Sequence, residues 1–109
     1  GWPMPLGGNV VRRDLGQQAM EDITMYTKMS IEYALKSPED ALKFAKKWGR
    51  GIDDETNKEF VSMYVNDRTI DYKPEGRASI RQFISEGQDL GLIRSDFDAA
   101  SMRFIGANE

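Results

Sequence analysis

Residues 15–40 read LGQQAMEDITMYTKMSIEYALKSPED, and the spacing of the apolar side chains within them decides the fold class. Leu15, Ala19, Ile23, Tyr26, Tyr33 and Ala34 recur at helical period, and Met20, Thr27, Ile31 and Leu35 form a row beside them. Two adjacent rows make a stripe wider than one packing partner needs. The pattern therefore predicts a long helix suited to burial on more than one side, with Asp14 as its N-cap. Its end overlaps a second start signal in Ser37-Pro38-Glu39-Asp40. The serine is an N-cap, the proline suits the first helical position, and the acids face the positive end of the helix dipole.

Toward the C-terminus, Ala41, Leu42, Phe44, Ala45 and Trp48 give this second helix a core face, and Gly49 and Gly51 bracket its stop. Asp53 or Asp54 caps a third helix with Phe60–Tyr64 and Val61–Val65 pairs one turn apart, broken by Asn66-Asp67-Arg68-Thr69. A fourth begins near Pro74-Glu75. It places Gly76, Ile80, Phe83, Ile84 and Gly87 on one face and Arg77, Arg81 and Gln88 on the other. The two glycines invite a close neighbour, each at about 1 kcal/mol of helix stability relative to alanine. Residues 90–98 close the helix, and 99–109 add a turn before a frayed end.

Toward the N-terminus lies GWPMPLGGNVVRR, residues 1–13. Pro3 and Pro5 favour extended backbone, and Gly7-Gly8 permits a turn or a close approach, to packed protein or to a ligand. Asn9-Val10-Val11 is short and β-branched and reads as a strand. A lone strand leaves its N–H and C=O groups unpaired. The expectation is thus a mainly α chain of four or five helices plus one N-terminal strand whose sheet lies elsewhere.

At 109 residues, 39% hydrophobic and 30% charged, the chain fits one domain or a large piece of one. A net charge of -3 provides no basic field for phosphates, so no nucleic-acid partner is expected. The chain has no cysteine, which removes thiol chemistry, and no histidine, which removes the commonest general base and the commonest metal ligand. The acids of residues 21–32 read as a solvated face, and no metal site is expected. No stretch approaches the roughly 20 apolar residues of a membrane span, so the expectation is a cytoplasmic chain with no membrane partner. Lys46, Lys47 and Arg50 stand beside a helix end, where cations meet either its dipole or an anion. Gly7-Gly8 has neither the GxGxxG nor the GxxxxGK[ST] phosphate-loop spacing.

Three blocks carry a resemblance: PMPLGGNVVRRDLG, SIEYALKSPEDALKFAKKWGRGID, and FVSMYVNDRTIDYKPEGRASIRQFISEGQDLGLI. In order and spacing, over residues 3–93, the chain resembles the C-terminal part of the 1,4-dihydroxy-6-naphthoate synthase family, relatives of chorismate dehydratase in the futalosine route to menaquinone. The resemblance implies a larger α/β protein of the periplasmic-binding-protein type II kind, with two lobes and a substrate cleft between them. Residues 1–13 match the strand segment that returns from the second lobe near the hinge, and residues 14–109 match the C-terminal helical set. The chain would then be a fragment whose gene continues upstream.

The activity implied is a lyase step from cyclic dehypoxanthine futalosine to 1,4-dihydroxy-6-naphthoate, with no cofactor carried over. The family's proposed general base is a histidine, so no catalytic residue can be placed on this chain, and the fragment alone is expected to be inactive. Pro5, Leu6, Gly7, Gly8 and Asn9 match the family's proline-leucine-glycine stretch and are the implied substrate-binding residues. Their main-chain N–H groups would act as donors to the small-molecule substrate. Tyr64 to Asp67 also matches, although Asn66 equally suits a left-handed helix stop. Apolar surface normally covered by the absent lobe should make the fragment self-associate. A solute-binding protein of the same architecture and a self-contained helical interaction module are the alternatives. The module requires a disordered residue 1–13 segment and a closed core in the rest.

Overall fold

The computed structural model describes residues 1–49 and 51–107. Among the described residues five α-helices follow in order: α1 Gln17–Lys36, α2 Pro38–Lys46, α3 Asp54–Tyr64, α4 Asp67–Ile70 and α5 Lys73–Asp89. Short 3-10 turns occupy Arg13–Leu15 and Ala99–Ser101. The mainly helical class is as the sequence predicts, but there is no strand among the described residues. Asn9-Val10-Val11 takes no regular structure, and Val10 is 99% exposed. The reason is physical: β-branching favours extended backbone, but a strand needs a second strand's N–H and C=O groups to bond, and none is present here.

Local signals set most helix ends. Asp14 is not the N-cap of α1. It lies in the turn before it, paired with Arg12, and the helix starts after Gly16, whose φ of 88° only glycine adopts without strain. Ser37 and Pro38 open α2 as expected, although the serine side chain makes no capping bond. Asp53 caps α3, accepting from the Thr56 N–H at 2.9 Å and from the Thr56 hydroxyl at 2.8 Å. Asn66 is not a left-handed stop. Its backbone is extended at φ −153°, and it caps α4 in a reciprocal box with Thr69.

In α1 Met20, Thr27 and Ile31 of one row face inward, with Met20 only 5% exposed, whereas Tyr26 and Tyr33 of the other row, and Met29 outside both rows, face outward. The wide stripe is real, but only one of its sides is covered. Similarly, Ala41, Leu42 and Ala45 of α2 are half-buried while Phe44 and Trp48 are exposed. Helix α1 touches α2, α4 and the Arg13–Leu15 turn, α2 touches α3, and α5 packs on the Ala99–Ser101 turn.

A strap formed by residues 102–107 joins α5 to α1. The Arg81 guanidinium donates to the Met102 carbonyl at 2.9 Å, Arg103 donates to the Gln17 side chain at 2.9 Å, and Gly106 lies against Thr24. The α5 faces differ from expectation, because Arg77 and Ser79 are buried and Phe83 is exposed. Burial follows what the strap and the N-terminal segment cover, and those neighbours are remote in sequence.

The molecule is open. Its accessible surface is 8880 Å², against about 6,100 Å² for a folded monomer of this mass. Its radius of gyration is 16.2 Å, against about 13 Å for a compact chain of this length. Among the described residues the buried hydrophobic side chains are Met20 and Ala99, and no side chain is fully enclosed. A closed core, the condition for a self-contained module, is therefore missing.

Candidate functional site

The proline-glycine segment is held at both ends by α5. At one end the Ser79 hydroxyl donates to the Pro3 carbonyl. At the other, Gly8 lies against Tyr72, the residue that precedes α5: a methyl carbon placed on Gly8 would sit 3.1 Å from the Tyr72 Oη. Pro3 therefore lies beside a later turn of α5 and Gly8 beside its start, so the segment runs antiparallel to the helix.

Between these anchors Pro5 is half-buried, and Leu6, Gly7, Gly8 and Asn9 are exposed. The two glycines differ. Gly8 is packed, whereas a methyl on Gly7 would meet nothing within 4 Å. Each reading of the glycine pair, packing or ligand, thus has a glycine that fits it. Among the described residues, the main-chain N–H groups of Leu6, Gly7, Gly8 and Asn9 donate to no other protein group. A run of free donors around a side-chain-free position can accept an oxygen-rich ligand against the backbone.

The support under Gly8 is a tight turn. Lys73 has φ 60°, in the left-handed region that a residue with a Cβ seldom adopts. Asp71 secures this turn: its carboxylate accepts from the Lys73 N–H at 3.0 Å and from Arg77 Nη1 at 3.1 Å, and lies 3.5 Å from Lys73 Nζ. The Lys73 amide is the main cause that holds the Asp71 carboxyl below its usual range; partial burial opposes it, and the Lys73 and Arg77 charges add to it. Arg68 donates to the Tyr72 carbonyl at 3.2 Å. The Tyr72 ring meets Phe104 edge-on with centroids 5.9 Å apart, and the Arg81 guanidinium lies 5.0 Å over the same Phe104 ring.

Other candidates are resolved locally. Lys46 pairs with Asp54 at 2.8 Å and Lys47 lies over Phe44 at 5.5 Å, so both have partners within the chain; Arg50 lies outside the described residues. Among the described residues no three carboxylates converge. Two shallow concavities, of about 270 and 370 Å³, lie along α5 and beside the strap, away from residues 5–9. Tyr72 and Ser79 are the residues that sequence reasoning missed. Nothing in their spacing marks them, since their partners lie some 64 and 76 positions away.

Comparison with known proteins places this geometry in context. The profile of a family described as menaquinone biosynthesis matches residues 1–89, which include the segment and all five helices. A protein of Thermus thermophilus named 1,4-dihydroxy-6-naphtoate synthase is 33% identical over 92 residues, which is 84% of this chain and 34% of that protein. A Streptomyces coelicolor protein of the same name is 28% identical over 93 residues, 85% of this chain and 33% of that protein. The chain thus spans about a third of the length of the curated relatives it matches. No solved structure matches significantly.

Proposed function

The chain belongs to the menaquinone biosynthesis family, and on that premise we propose that it works as the C-terminal third of a 1,4-dihydroxy-6-naphthoate synthase, acting on cyclic dehypoxanthine futalosine. The observation that carries this reading is the Pro5–Asn9 segment, anchored at Gly8 and open at Gly7, within the part of the chain that the family profile covers. In the complete enzyme this stretch lines the cleft between two α/β lobes, and its amides bind oxygen atoms of the substrate. The catalytic base comes from elsewhere in the polypeptide, since this chain has no histidine.

The uncovered rows of α1 and α2 fit the same reading. In the complete enzyme they pack against the other lobe. In isolation, the exposed aromatic and methionine side chains of these rows bring two copies of the chain together. The reading also places the enzyme in the cytoplasm; among the described residues no helix is long and apolar enough to cross a membrane.

A chimera tests the proposal. Residues 3–93 replace the matching third of the Thermus thermophilus relative, and the product is assayed with cyclic dehypoxanthine futalosine. Formation of the naphthoate is the expected result. A folded chimera that leaves the substrate unchanged would refute it.

A further inference from the structure

The strap of residues 102–107 lies beyond the residues that the family profile matches, yet it reaches the candidate site through one ring. Phe104 stands between Arg81 on α5 and Tyr72 at the helix start, and Tyr72 is the side chain that meets Gly8. The Tyr72 backbone is fixed independently, by the Asp71–Lys73 turn and by Arg68. What remains to be set is the direction of the ring, and the aromatic contact available to set it is the edge-on pair with Phe104. An edge-to-face pair has a preferred geometry, so it restricts the tyrosine ring more than an aliphatic neighbour would.

We propose that Phe104 is a positioning residue for the proline-glycine segment: it holds the Tyr72 ring so that the hydroxyl supports Gly8, and thereby sets the depth of the Leu6–Asn9 amides. Its effect passes through Tyr72 and touches no substrate. The consequence for catalysis rests on the reading that these amides contact substrate, but the positioning itself does not.

The test is amide NMR of Gly8 in Phe104→Leu, in Tyr72→Phe, and in the double variant. The Gly8 resonance should move in Phe104→Leu, and this response to the residue 104 change should vanish when Tyr72 is already phenylalanine. Phe104→Tyr, which keeps the ring edge, should leave Gly8 close to its original position. Should Phe104→Leu not fold, Phe104→Met fills a similar volume and gives the same comparison. A Gly8 resonance that ignores the loss of the Phe104 ring overturns the proposal.

In the complete enzyme, Phe104→Leu should raise KM for cyclic dehypoxanthine futalosine several-fold with kcat unchanged, the signature of lost ground-state binding. If Gly8 responds and KM does not, the positioning role stands and the substrate contact fails.

Discussion

Ile93 packs directly over Gly87: a methyl carbon on that glycine would lie 2.6 Å from Ile93 Cδ1 and 2.9 Å from its Cγ1. The contact is fixed from the backbone, because the N–H groups of Leu92 and Ile93 both donate to the Gly87 carbonyl, at 2.9 and 3.0 Å. The chain folds back over α5 at this point, and only a residue without Cβ leaves room.

Gly87→Ala should therefore destabilise the fold even though alanine favours a helix. Overpacking costs about 1–3 kcal/mol, and the gain in helix propensity returns about 1 kcal/mol, so we expect a net loss of about 1 kcal/mol. β-branched Ile93 has few rotamers into which it can retreat. In an Ile93→Ala background the same substitution should become neutral or stabilising, which a double-mutant cycle by thermal unfolding would detect.

The Gly87 contact was legible in the sequence as a small residue within a helix, and so were the Ser37-Pro38 start, the Asp53 cap and the Phe60–Tyr64 pair, now seen with centroids 5.0 Å apart. Each depends on residues within one or two turns. The misreadings share the opposite property. Residues 9–11 have strand propensity but no partner, Arg77 is buried although its residue type suggests a solvent face, and Tyr72 meets Gly8 and Phe104, both distant in sequence. Of the candidate site, sequence located the proline-glycine segment but could not say which glycine was packed and which was open.

Acid should loosen the start of α5. The Asp71 carboxyl lies below its ordinary value of 3.8, so its contribution to stability is fully present above that value and is lost as pH falls through the lower folded-state pKa. We expect Asp71→Asn to lower stability at neutral pH and to reduce the acid dependence below about pH 4. Melting curves from pH 2 to 7 would check this; an identical acid limb in the variant would rule out Asp71 as its source.

Association follows from the area. The excess of about 2,800 Å² over a compact monomer exceeds the roughly 1,600 Å² total of an ordinary stable interface. We expect sedimentation velocity to show the isolated chain passing from monomer to larger species as its concentration rises. Tyr33→Lys, on the uncovered row of α1, should shift that transition to higher concentration.

The most direct test of the account uses Gly7, because a methyl group there meets no protein atom within 4 Å. The measurement is KM for cyclic dehypoxanthine futalosine of Gly7→Ala in the complete enzyme, with melting temperature as the control. A backbone that lies against substrate predicts an unchanged melting temperature and a KM raised about tenfold, the usual scale for one misplaced methyl group. Wild-type KM and kcat in a fully folded variant would contradict the claim that this segment contacts the substrate.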